Sequence, residues 1–189
     1  MSLLDDDPYL CHVCDGRRPA MDTCSACAGR GRITSIGFVG TPWDEVVPGL
    51  WVGGHDYLDE AAGPGVQRAV VRDEFDVVVS LFSREGHGPD DSVEHHAHRM
   101  PDAQLEARDL ADVDRLARVV AERLDEGKRV LVRCQAGLNR SSLVAALALV
   151  HRGSTPQEAI DAIRAGRSPN CLFNRSFAAH VLAAAARTD

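Results

Sequence analysis

Val130-Leu-Val-Arg-Cys134-Gln-Ala-Gly-Leu-Asn-Arg140-Ser141 is a short apolar, mostly β-branched run that ends in a cysteine, followed by a loop, an arginine and a hydroxyl residue. Leu143 to Val150 continues it as an uncharged run rich in helix formers. The order reads as strand, tight loop and helix, with a thiol and a guanidinium facing one small space. A loop of this length closing onto a helix N-terminus aims backbone N–H groups inward, which suits a tetrahedral dianion. The same amides and the helix dipole favour the thiolate form of Cys134. Arg140 can grip two anionic oxygens at once, which lysine cannot do.

Outward from this stretch, helices and strands alternate. Asp112 to Glu126 carries apolar residues at Val113, Leu116, Ala117, Val120 and Leu124, a helical stripe that Gly127 stops. Arg140 to Arg152 is apolar nearly all round, as a helix packed on a sheet should be, and Gly153 ends it. Thr155-Pro156-Gln157-Glu158 is a capping box with proline at the first helical position, opening a helix that runs to Gly166. A last helix is expected over Asn174 to Ala186, and a strand over Val93 to Arg99. The expected fold class is α/β, with a mostly parallel central sheet flanked by helices and the Cys134 loop at a strand's C-terminal end.

The loop resembles the signature of the cysteine-based protein phosphatases, Cys-x5-Arg followed by Ser or Thr. The likeness to the compact dual-specificity branch spans about residues 43–185. Val47-Pro-Gly-Leu-Trp-Val-Gly53 is similar to that branch's entry strand, and Phe75-Asp-Val-Val-Val-Ser-Leu81 to its central strand. Ile163-Arg-Ala-Gly-Arg167-Ser-Pro-Asn170, with Phe173 and Phe177, is similar to the closing segment that supports the phosphate loop. The low-molecular-weight phosphatases and arsenate reductases share the loop but carry it near the start of the chain, whereas Cys134 lies past the middle.

The resemblance implies a protein tyrosine phosphatase-like fold and a cysteinyl-phosphate intermediate. Cys134 would be the nucleophile, and Gln135, Ala136, Gly137, Leu138, Asn139 and Arg140 the phosphate-binding loop. Arg140 would stabilise the transition state, and Ser141 would hydrogen-bond the departing thiolate. Such enzymes need no catalytic metal. The acid that protonates the leaving oxygen is an upstream aspartate, and Asp102, Glu106 and Asp109 stand in the right region. Asp102 is the expected one: it follows Met100-Pro101, where a strand gives way to a loop, at a spacing close to the branch's own. Asp109 reads better as a cap or first-turn residue of the next helix. The chain departs from the pattern before the nucleophile, where Arg133 replaces the usual histidine that orders the loop.

Four of the six cysteines form two knuckles near the N-terminus, Cys11-His-Val-Cys14 and Cys24-Ser-Ala-Cys27. Four thiolates at this spacing match one tetrahedral, structural zinc ion and leave no open coordination position for water. Cys24-x2-Cys27-x-Gly29-x-Gly31 resembles a repeat of the cysteine-rich domain of J-type chaperones. Cys11-x2-Cys14-x-Gly16 follows it less completely, because Arg18 stands at the second glycine's place. Two disulfides compete with zinc on spacing alone, but Met1-Ser-Leu-Leu-Asp-Asp-Asp does not read as a secretory signal, so zinc is the expectation. Residues 1–40 are therefore expected to form a four-cysteine zinc module that docks a substrate or protein partner, and 41–189 the catalytic domain. The boundary should fall between Thr34 and Gly40.

The 189 residues carry net charge −7, are 44 % hydrophobic and hold 5 % aromatic residues, enough for an aliphatic core. The acidic balance disfavours nucleic acid and membrane surfaces as partners, and the longest apolar run is too short to span a bilayer. A cytoplasmic location is expected. The expected function is phosphomonoester hydrolysis on a phosphorylated protein, at phosphotyrosine or at phosphoserine and phosphothreonine as well. An RNA 5′-triphosphatase or nucleotide phosphatase is an alternative, since Gly137-Leu-Asn-Arg140 resembles its loop. A phospho-ligand binding or partner-docking module with little turnover is another. Gln135 to Asn139 contains no lysine to meet the extra phosphates of a phosphoinositide. His95, His96 and His98 could suggest a second metal, but the adjacent Ser83 to Ser92 reads as a solvated loop, and the strand places His96 and His98 on one face and His95 on the other, so no second metal is expected. Cys171 reads as a small core residue, with a protective disulfide to Cys134 as the sharper alternative.

Overall fold

The computed structural model describes residues 39–184, apart from 60 and 62–65. The expected zinc ligands Cys11, Cys14, Cys24 and Cys27, and residues 1–38 of the expected module, lie outside the described residues. So does the end of the last expected helix.

A five-stranded sheet runs in the order β1 (Trp43–Val47), β2 (Leu50–Gly54), β7 (Val130–Cys134), β5 (Val77–Ser80), β6 (Glu94–Ala97). Strand β7 lies at its centre, parallel to both neighbours, with Gly54 opposite Cys134 and Ser80 opposite Arg133. The sheet is mixed, which corrects the expectation of a mostly parallel one. β1 pairs antiparallel with β2, and β3 (Asp56–Tyr57) and β4 (Gln67–Arg68) form a separate antiparallel ribbon. The cause is local. Pro48-Gly49 turns the chain through a two-residue connection, with Gly49 at φ +86°, so the single strand expected over 47–53 is the end of one strand, a turn and the next.

Alternation along β7 divides the core. Val130, Val132 and Cys134 join the main cluster, which also takes the buried faces of α1 (Ala107–Asp125), α2 (Arg140–His151), α3 (Pro156–Gly166) and α4 (Arg175–Leu182). Leu131 joins a smaller cluster with Val71, Phe75 and Val78 against Trp43 and Trp51. There Phe75 meets both tryptophan rings edge-on at 5.4 Å. Helix α2 is buried from Arg140 to Val150, as its all-round apolarity requires. Helix α1 starts at Ala107, ahead of the expected Asp112, and places Asp109 in its first turn. Both bonds of the Thr155–Glu158 capping box are made. No described helix is long and apolar enough to cross a membrane.

Candidate active site

Strand β7 delivers Cys134 to its C-terminal end, and α2 begins at Arg140, so residues 135–139 must turn in a very small radius. Glycine makes that possible. Gly137 has φ +72°, and a Cβ there would lie 2.5 Å from the Gly53 carbonyl carbon. Gly54 is itself too crowded to carry a side chain, since a Cβ there would lie 2.8 Å from Gln135 O and 3.0 Å from the Ala136 carbonyl carbon, so the loop rests directly on the backbone at the end of β2.

The loop's carbonyls all find partners outside its centre. Cys134 O accepts from His55 N and from His55 Nδ1, each at 2.9 Å. Gln135 O accepts from the backbone N–H groups of His55 and Asp56. Ala136 O and Gly137 O face the guanidinium of Arg167, at 3.4 and 3.3 Å. Leu138 O takes the amide of Leu172 and Asn139 O that of Leu143. With the carbonyls turned outward, the peptide N–H groups of the same units turn inward, which is the arrangement of an anion nest. Leu172 holds its position at φ 57°, a left-handed conformation uncommon for a bulky residue.

Side chains complete the same centre. Cys134 is 2 % exposed, and its Sγ lies 3.3 Å from Ser141 Oγ. Burial pushes the thiol's pKa up, but the Arg140 charge and the hydroxyl and amide of Ser141 outweigh it, leaving the thiol below its ordinary value. Arg140 donates through Nη1 to Met100 O at 3.2 Å and stacks over the Phe82 ring at 5.6 Å. Its buried Nε has no hydrogen-bond partner among the described residues. That leaves a donor of this fork for an anion.

Of the three candidate acids, Asp102 is the one brought to the loop. Its carboxylate accepts from Asn139 Nδ2 at 3.1 and 3.2 Å and from Asn174 Nδ2 at 3.4 Å, and lies 3.9 Å from Arg140 Nε. Asn139 is locked from its other end, because its Oδ1 accepts the backbone N–H of Asn174 at 3.1 Å. Glu106 is the exposed residue before α1, and Asp109 lies within that helix.

Arg133 points to the opposite face of the sheet from Cys134. Its fully buried guanidinium donates to Ser80 Oγ, His87 O and Gly88 O, so it secures the segment after β5 instead of touching the loop. Burial lowers its pKa to about 10, which still leaves it charged at neutral pH. The histidine cluster disperses: His95 bonds Ser80 Oγ, His96 bonds Glu94, and His98 lies 4.0 Å from Asp112. Among the described residues, no group of three or more His, Cys, Asp or Glu side chains is placed to hold a metal ion. Cys171 is fully buried, and burial pushes its thiol up to about 11.

Sequence reasoning missed His55, Phe82 and Asn174 as parts of this site. Each reaches it from a segment distant in the chain, and only the Gly53-Gly54-His55 run, with its room for close backbone approach, carried a local signal.

No family model and no curated protein matches the sequence. The fold matches solved structures. Human DUSP28 superposes with TM-score 0.58 at 23 % identity, over 80 % of this chain and 99 % of that one. Tk-PTP in its active form gives 0.56 at 23 %, over 78 % and 98 %. OH1, a tyrosine phosphatase from Orf virus, gives 0.54 at 16 %, over 77 % and 87 %. At these identities the likeness is one of fold.

Proposed function

We propose that this protein hydrolyses phosphate monoesters through a cysteinyl-phosphate intermediate, acting on phosphotyrosine, and on phosphoserine or phosphothreonine, in protein substrates. The observation that carries the reading is the outward turn of the carbonyls from Cys134 to Asn139. It leaves the loop's amides, the Arg140 fork and the Cys134 thiol sharing one centre. Thiolate attack forms the S–P bond as the P–O bond breaks, and Asp102 gives its proton to the leaving oxygen. Arg140 and the amides hold the equatorial oxygens, where charge is concentrated in the transition state. Water then attacks the phosphocysteine with Asp102 as base, and Ser141 stabilises the thiolate that departs. The likeness of fold to DUSP28, Tk-PTP and OH1 supports this chemistry.

The test is p-nitrophenyl phosphate turnover across pH, with no added metal, for the wild type, Cys134→Ser and Asp102→Asn. Loss of turnover at 134, and a fall of about 10²-fold or more at 102, is the expected result. An unimpaired Cys134→Ser variant would sink the reading.

The same proposal divides the chain into a zinc module over 1–40 and a catalytic domain over 41–189, with Cys11, Cys14, Cys24 and Cys27 binding one structural zinc. The ligand chemistry and spacing support it. Elemental analysis should find one zinc per chain, lost in Cys24→Ser and Cys27→Ser. A chain free of metal with paired cysteines would replace zinc by disulfides.

A further inference from the structure

Arg133 occupies the position where the family's pattern has a loop-ordering histidine, and its guanidinium is committed to the far side of the sheet. A different histidine stands at the loop. His55 follows Gly54, the β2 residue opposite Cys134 in the ladder, and its side chain is 1 % exposed. Its Nδ1 lies 2.9 Å from Cys134 O. A carbonyl can only accept, so Nδ1 carries the hydrogen. Burial, reinforced by the charge of Arg133, lowers the ring's pKa to about 3 against the pull of the Cys134 bond, so the imidazole is neutral at physiological pH. The other side of the ring meets Phe82 edge-on at 5.5 Å, and Phe82 in turn lies beneath Arg140. His55 therefore touches the supports of both reacting side chains.

We propose that His55 is a positioning residue for the phosphate loop, delivered from β2, and that it orients the peptide following Cys134 through its hydrogen bond to the Cys134 carbonyl. The His55 backbone N–H donates to the same oxygen at 2.9 Å and stays in every variant; the ring's bond adds to it, helping keep the carbonyl's negative end turned away from the thiolate and polarising the peptide so that the Gln135 N–H is a stronger donor. Both effects favour the thiolate. The groups whose charges act on the thiol, Arg140 and Asp102, do not change when His55 is substituted. The kinetic part of this inference rests on the phosphatase reading; the effect on the thiol does not.

The test compares His55→Asn with His55→Leu in the full chain. The two side chains are nearly the same shape and differ in the N–H donor. The alkylation rate of Cys134 by iodoacetamide is followed against pH with peptide-resolved mass spectrometry, so that the other cysteines do not obscure it. Folding is checked by circular dichroism. The expected result is a midpoint near wild type for His55→Asn and one raised by about one unit for His55→Leu. With p-nitrophenyl phosphate, His55→Leu should lose about tenfold in kcat with KM little changed, and His55→Asn should recover most of it. Should His55→Leu fail to fold, His55→Phe keeps the ring volume without the donor and takes its place. Equal midpoints for the Asn and Leu variants would overturn the positioning role. A shifted midpoint in a protein with no phosphatase turnover would uphold that role and remove the phosphatase reading instead.

Discussion

A single α-carbon decides whether the loop can close. Gly137 combines φ +72° with contact against the Gly53 carbonyl and the Arg167 guanidinium, so even a methyl group would have to displace backbone. Gly137→Ala should cost about 1–2 kcal/mol in urea unfolding and lower kcat about 10²-fold, because the shift falls on atoms that position the phosphate. Equal kcat for variant and wild type would show that the loop relaxes freely. His55 has a second, thermodynamic signature. Its pKa is about 3 when folded and near the ordinary 6.5 when unfolded, so between those values the unfolded chain binds a proton that the folded chain does not. Its contribution is therefore fully present above pH 6.5 and is lost as pH falls toward 3, at up to about 1.4 kcal/mol per unit. Burial lowers the pKa of His87 and His95 in the same sense. The comparison of urea midpoints at pH 5 and pH 7 must therefore set the wild type against His55→Asn, whose pH dependence should be visibly shallower.

Between elements, Arg167 ties the end of α3 to the start of β1 and to the loop. It leaves the end of α3 fully buried and donates to Thr41 O and Thr41 Oγ1 and to Asp44 beside and within β1, as well as to the loop carbonyls of Ala136 and Gly137. Arg167→Met keeps much of the volume and removes every donor. It should cost about 2 kcal/mol or more, and should lower kcat as well as stability, since two loop carbonyls lose their partner. A variant destabilised but with wild-type kcat would mean that the loop does not depend on this tie. At this scale the sequence was readable where interactions are local. The Cys134 loop, the apolar α2 and the Thr155–Glu158 box lie within a few residues of their partners. It was unreadable where pairings are long-range. Nothing near His55 announces that its ring will meet Cys134, and nothing near Asn174 announces Asp102. The β3–β4 ribbon, two residues a strand, is too short to show a period. The β1–β2 hairpin could have been read from Pro48-Gly49, and its antiparallel sense is what makes the sheet mixed.

For the molecule as a whole, the described residues close their own core: all four helices and the inner strands join one apolar cluster, with Cys134 at its edge. The proposed zinc module is thus expected to tether or recruit, not to hold up the site. Stripping the metal with a strong chelator should leave p-nitrophenyl phosphate turnover within about twofold of the loaded protein, with the melting of the core unchanged, because among the described residues the site's supports come from positions 41 to 174. A collapse of turnover on metal removal would place the module in structural contact with the catalytic unit.

The outward anchoring of the loop carbonyls has one more consequence. Those bonds come from His55 just after β2, from Asp56 in β3, from Leu143 in α2, and from Arg167 and Leu172, and none waits for an anion to arrive. The cradle is preorganised, so an incoming phosphate meets dipoles already aligned and does not have to spend its binding free energy on ordering them. Recognition of this kind belongs to the backbone. The side chain of Gln135 can drift without erasing it, while the glycines, the core-packed Leu138 and the distant anchors cannot.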